Sequence, residues 1–309
     1  MNIPTDEITE SPGPNPDYPV DVSAILAMEP LVIEPALHRP NQNIARLAFT
    51  DLFLSIALWL FSILAVTIIP ASGALLYVLI RYKGTANIAQ VLIADPTVLL
   101  LSVIGVIPAH VLTFAAAWAI VTRLGARPFW RTLGWSFGQT FGLWWCVGLA
   151  IMLYLVGAVL AKLIGGGPTD IDVLVNSSLA VRIILAVVAT ASGPLVEEVV
   201  YRGIIYSAVE KLKGMAWAVA IVSFLFAFVH LYQYRNNGGV IVVIVLLSIS
   251  LTLVRAFTGR LLPCFIIHMV FNGIVSILIV FQPYIAQFDK SAQPKNSLVI
   301  LWRLLCQVT

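Results

Sequence analysis

Charge is what this chain has least of. Asp, Glu, Lys and Arg make up 11% of its 309 residues and hydrophobic residues 60%. Soluble domains carry roughly a quarter charged residues, so a soluble globular domain is excluded and an integral membrane protein is indicated. Cysteine is also scarce. Cys146, Cys264 and Cys306 form no CxxC pair and no disulfide framework, and they read as small packing residues. Basic clusters are missing too: Lys and Arg are scattered at the ends of apolar runs, so the net charge of +3 gives no reason to expect a nucleic-acid partner. The first 50 residues hold Asp6, Glu7, Glu10, Asp17, Asp21, Glu29 and Glu34 among several prolines. That is the opposite of a secretory signal peptide. No inverted repeat of the transporter kind stands out.

What the chain does have is long apolar runs. Residues 1–46 read as a polar, proline-rich, disordered tail with room for a short surface helix near Ile25–Leu37. Seven candidate membrane helices follow at about 52–80, 97–121, 140–161, 178–209, 214–234, 239–256 and 261–283. Each is long enough, at about 1.5 Å per residue, for a hydrocarbon core of roughly 30 Å. The expectation is an all-α polytopic membrane protein of about seven transmembrane helices. Its membrane-embedded domain covers 47–290 and a short tail covers 291–309. Within that tail Leu298–Cys306 is too short to span, Arg303 interrupts it, and it reads as an interfacial segment. The terminal Cys306-Gln307-Val308-Thr309 only superficially fits a prenylation box, because Gln307 is not aliphatic and Thr309 is not a usual last residue.

Between the second and third runs Arg123, Arg127 and Arg131 alternate with Phe129, Trp130 and Trp135. Such a segment lies at the lipid headgroups; the functional alternative is an element that touches substrate. With seven spans, Arg123, Arg127, Arg131, Lys211, Lys213, Arg255 and Arg260 share one side. The loop at 164–177, with Asp170 and Asp172 and no Lys or Arg, falls on the other. The N-terminus is therefore expected in the cytoplasm, with Arg81, Lys83 and Arg235 against the trend. The compact length fits a bacterial inner membrane.

Three strings set ionisable groups inside these apolar runs: Glu197-Glu198-Val199-Val200-Tyr201-Arg202, Phe226-Ala227-Phe228-Val229-His230 and His268-Met269-Val270-Phe271-Asn272. One charged residue at the centre of an inserting helix costs about 2.5–3.5 kcal/mol. Unpaired, the set would cost on the order of 10 kcal/mol, so these groups are expected to face one another. Glu198 and Arg202 are one turn apart and can pair. Glu197 points about 100° away and keeps no such partner, which makes it the candidate general base. Pro194 is expected to kink the helix where the glutamates begin. Phe226 shares a face with His230, and His268 with Asn272, beyond Pro263. A water between Glu197 and the histidines could attack a peptide carbonyl, with His268 or Asn272 donating to the oxyanion. His110, in the second run without a partner motif, reads as a packing residue. Gly134-Trp135-Ser136-Phe137-Gly138 matches the GxSxG nucleophile elbow, but that motif needs a strand and a soluble sheet that this chain lacks.

The ordered trio EExxxR, FxxxH and HxxxN, with Thr258-Gly259-Arg260-Leu261-Leu262-Pro263 leading into the last, resembles the CAAX prenyl protease type 2 and bacteriocin-processing family of intramembrane proteases (CPBP, or ABI). The resemblance covers roughly residues 120–285. It implies a protease core with a polar active-site cavity inside the bilayer and a membrane-associated peptide or protein as substrate, of CAAX or leader type. It also implies Glu197 as the base, His230 beside the water, His268 and Asn272 as oxyanion or orienting groups, and Glu198, Arg202 and Phe226 in support. A divalent metal such as zinc, held by Glu197, His230 and His268, is the open question; no HExxH pair is present, and a glutamate-activated water needs no metal. Two other classes use the same residues differently: a non-catalytic scaffold of this fold that binds a partner helix, and a proton-coupled transporter with the carboxylates and histidines as its relay.

Overall fold

The computed structural model describes residues 42–83, 88–138 and 141–291. These form helices and connections with no strand among them. The order is α1 (Gln42–Arg81), α2 (Ile88–Ala94), α3 (Pro96–Thr122), α4 (Phe129–Leu133), α5 (Leu143–Ile164), α6 (Asp170–Ser177), α7 (Leu179–Lys213), α8 (Met215–Leu231), α9 (Gly238–Thr258) and α10 (Leu262–Ser291). Six are long and apolar enough to cross a membrane, and α8, with 17 residues, is a shorter seventh. The protein is an integral multi-pass membrane protein. Of the tail read at 1–46, only 42–46 fall within the described residues, at the start of α1. The Ile25–Leu37 helix, the Leu298–Cys306 segment and Cys306 lie outside them.

Helices satisfy their own backbone polar groups, the requirement for crossing lipid. Their outward faces are apolar: Phe53, Val111, Leu163, Phe224 and Phe257 are all exposed. Trp130, Trp144, Trp145 and Trp217 are exposed at one end of the bundle, where amphipathic rings meet the headgroups. Within lipid no hydrophobic effect drives helices together, so close backbone approach matters. A Cβ on Gly105 of α3 would stand 2.7 Å from Pro70 Cα of α1, and one on Gly239 of α9 would stand 2.7 Å from Ala161 O of α5. These glycines set the α1–α3 and α5–α9 crossings.

The connections alternate between two ends. At one end Asp51 of α1 accepts from Arg123 and from Lys211, while Leu261 N–H donates to Gly134 O at 3.0 Å. At the other Gly167 N–H donates to Asn236 O at 2.7 Å and Arg235 pairs with Asp170 at 2.7 Å. There, too, the Tyr82 hydroxyl donates to Asp95 at 2.6 Å and holds that carboxyl below its ordinary range.

Three local expectations change. The stretch at 164–177 is not all loop, because Thr169 and Asp172 form a capping box that starts α6. The arginine–aromatic segment does not lie wholly at the headgroups: Phe129 and Leu133 of α4 are buried in the main core beside α7, and Trp135 stacks on Phe265 at 5.2 Å. None of residues 123–135 lines the cavity described below. Ser136 of the GxSxG string accepts from Arg260 at 2.8 Å, also outside that cavity. Finally, α7 departs from regular α-helix in two wide-turn stretches, Val188–Ser192 and Val199–Ile205, on either side of Pro194. There N–H groups reach back five residues, Gly193 to Val188 O and Tyr206 to Tyr201 O. Pro194 begins the regular turns between them, where its missing N–H costs little.

Candidate active site

The six-residue segment Gly193–Glu198 carries both glutamates, and the wide turns on either side of it reset the angle at which side chains leave α7. Glu198 and Arg202 are turned fully inward. Their side chains are 0% exposed and pair at 3.0 Å, Arg202 Nη1 to Glu198 Oε1. Two buried charges need more than each other. Arg202 spends its remaining donors on α9: Nε to Thr252 Oγ1 at 3.3 Å, and Nη2 to Ser248 O and Oγ at 3.1 and 3.0 Å. Its guanidinium also stacks over Phe226, 4.4 Å from the ring centre. Ser248 and Thr252 lie outside the three motifs; their only trace in the sequence is a pair of hydroxyls four apart in an apolar helix.

The ion pair orients a histidine. His268 Nδ1 lies 2.8 Å from Glu198 Oε1. The carboxylate facing Arg202 accepts, so the ring proton sits on Nδ1. His268 Nε2 then faces Glu197 Oε2 at 3.7 Å. Glu197 itself is 30% exposed, against 0% for Glu198. One carboxylate is locked and its neighbour is free.

The second histidine is fixed differently. His230 Nδ1 donates to Phe226 O one turn back, at 2.8 Å, which leaves Nε2 to face the cavity. Phe226 lies against both rings, 4.8 Å from His230 and 5.8 Å from His268. Asn272 Nδ2 donates to Ala189 O at 2.9 Å, a carbonyl inside the first wide turn of α7. This uses one of its two amide hydrogens.

Glu197, Phe226, His230, His268 and Asn272 all line one cavity of about 420 Å³, with His110 among them. That size is in the range of small-molecule sites. The remaining wall is largely apolar, with Val243, Leu247 and Val275 in it. Gln233, Tyr234 and Ile171 carry the lining to the end of the bundle opposite Arg123, Arg127 and Arg131. Cys146 and Cys264 are buried free thiols outside it.

A metal is tested by the donor set. The hydrogen bonds behind the rings fit one, since His268 and His230 each turn Nδ1 to an oxygen and Nε2 to the cavity. The spacing does not: among the described residues no three His, Cys, Asp or Glu come close enough to hold an ion.

The segment that supplies these residues was compared with known families. Residues 179–274 match the model of the Rce1-like type II CAAX prenyl endopeptidases. The match spans α7 through the first part of α10 and contains all three motifs, so the resemblance carried by EExxxR, FxxxH and HxxxN holds. It points to a CAAX-type intramembrane protease. No curated protein and no solved structure matches the chain.

Proposed function

We propose that this protein is an intramembrane endopeptidase that hydrolyses a peptide bond of a membrane-associated protein or peptide. The observation that carries the reading is the division of labour between adjacent carboxylates. Glu198 is held at short range by Arg202 and His268, and Glu197 faces a largely apolar cavity with only the longer 3.7 Å approach of His268 Nε2.

In the proposed reaction Glu197 takes a proton from water as the water oxygen bonds to the scissile carbonyl carbon. The carbonyl becomes a tetrahedral oxyanion. As the C–N bond breaks, Glu197 returns the proton to the leaving amine and is a carboxylate again. His230 and His268 each turn Nε2 toward the cavity beside Glu197. The second amide hydrogen of Asn272 is the oxyanion donor, because the Nδ1 side of His268 is turned toward Glu198 and away from the cavity. Phe226 shields the ion pair from the cavity. The low-dielectric wall strengthens each of these interactions.

Asn272→Ala is expected to lower kcat by about two to three orders of magnitude, the loss usual for one oxyanion donor, with KM little changed. Steady-state kinetics on a cleaved fluorogenic peptide checks this, and an unchanged kcat would remove Asn272 from the oxyanion site. Cleavage of prenylated and leader-type quenched peptides by purified wild type and Glu197→Gln, each with and without chelator, tests the reading as a whole. Chelator-sensitive cleavage would assign the role of an ion. Equal background from both proteins would favour the scaffold.

We place the N-terminus in the cytoplasm of a bacterial inner membrane, from the side shared by Arg123, Arg127, Arg131, Lys211 and Lys213. On that orientation the end of the cavity at Gln233 and Tyr234 faces away from the cytoplasm. A single cysteine at Gln233, in a chain with Cys146, Cys264 and Cys306 replaced, should react with a membrane-impermeant maleimide added to intact spheroplasts. Reaction only in inverted vesicles would reverse the assignment.

A further inference from the structure

The chain has 4 histidines, and the mechanism above uses two. His110 of α3 belongs to none of the motifs, and its sequence context makes it a packing residue. The structure sets it in the wall of the same cavity as Glu197. His110 Nδ1 is 3.0 Å from Ser192 Oγ, and Ser192 Oγ is in turn 3.5 Å from Val188 O. Both contacts hold at once in one direction: Nδ1–H donates to the hydroxyl and the hydroxyl to the carbonyl. His110 Nε2 is then an acceptor, with no partner among the described residues.

The other half of the geometry lies at Gly193, next to Ser192. The two oxygens of Glu197 point to different places. Oε2 faces His268 Nε2 at 3.7 Å. Oε1 faces Gly193, where a Cβ would stand 3.9 Å from it and 4.0 Å from His110 Cε1. A Cβ would also stand 3.1 Å from Val188 O, so the missing side chain leaves a small space bordered by that carbonyl, the candidate base and the ring of His110. Water bridges polar groups across gaps of this kind.

We propose that His110 is a further catalytic residue, one that hydrogen-bonds the attacking water beside Glu197 and is itself held by Ser192. This rests on the protease reading above. The water gives one proton to Glu197 Oε1 and directs its other hydrogen to His110 Nε2. Its lone pair is thereby aimed at the scissile carbonyl. His110 gains and loses no proton over the cycle.

Two measurements on the full-length, detergent-purified protein test this. The first is NMR of the ¹⁵N-labelled histidine rings, with each of the four assigned by its His→Gln variant. Glu197→Gln should shift the His110 Nε2 resonance and Ser192→Ala the Nδ1 resonance; a His110 signal indifferent to Glu197→Gln overturns the shared water. The second is kinetic, with quenched peptides that the wild type cleaves. His110→Ala should lower kcat about 10- to 100-fold with KM within about twofold. His110→Gln, whose amide oxygen can reach the Nε2 position, should recover part of the loss, and His110→Phe none. If wild type cleaves, Glu197→Gln does not, and His110→Ala keeps the wild-type kcat, the His110 role fails alone. A loss equal in His110→Gln and His110→Phe would mark a packing role and overturn it as well. If wild type and Glu197→Gln show the same background, the protease reading fails and this role with it.

Discussion

Glu197→Gln is expected to abolish peptide cleavage while the protein stays folded and inserted. The substitution keeps shape and volume and removes only the ability to take a proton. Proton transfer by a positioned side chain contributes about 10² to 10⁴ in rate, so a loss of at least about 10³ in kcat is the expected size. The fold should tolerate the change because Glu197 is 30% exposed to the cavity and carries no locked ion pair, unlike Glu198. Glu197→Asp retains the carboxylate but withdraws it by one methylene, and a displacement of about 1 Å can itself cost about 10². The two variants are to be compared by initial rates on the same peptide, with thermal unfolding in detergent as the control for folding. Turnover by Glu197→Gln within tenfold of wild type would sink the mechanism.

Arg202→Ala is expected to produce the largest loss of stability of any single change in the site. It would leave Glu198 ionised and without its cation in a place that is 0% exposed. Breaking a buried pair from one side costs about 3–5 kcal/mol, more than the pair is worth when both partners are exchanged for apolar groups. Arg202→Lys should not rescue it, since an ammonium cannot reach Glu198, Thr252 and Ser248 from one planar fork. The double variant Glu198→Gln with Arg202→Met should regain much of the lost stability, yet remain inactive. His268 would lose the carboxylate 2.8 Å from its Nδ1 that fixes its ring. Thermal unfolding in detergent, read beside cleavage, separates these effects. An Arg202→Ala protein as stable as wild type would show that the pair is not the anchor described here.

The spans were legible because the bilayer imposes one length and one chemistry on them. Runs read at 97–121, 178–209 and 261–283 emerge as Pro96–Thr122, Leu179–Lys213 and a last membrane span of Leu262–Gln282. Glu198 with Arg202 was legible for the same kind of reason, since a spacing of four residues settles who can meet whom on one helix. Pairings between helices leave no such mark. Nothing local distinguishes Ser248 and Thr252 from other hydroxyls in apolar helices, though they take three of the bonds to Arg202. His110 was passed over because a lone histidine carries no spacing signal, and its partner Ser192 lies 82 residues away. The assignment of loop to 164–177 failed at a cap that was readable, Thr169 with Asp172.

The sequence by itself determined the solvent, the approximate number of crossings and the candidate groups inside them, because burial in lipid penalises every charge that lacks a purpose. Only the tertiary structure decided what else holds the locked glutamate and where the free one faces. Adjacent residues on a helix point about 100° apart, and which direction meets His268, Ser248 and Thr252 depends on how α9 and α10 pack on α7. The wide turns of α7 decide the rest, by turning Glu197 to the cavity and the Ala189 carbonyl to Asn272.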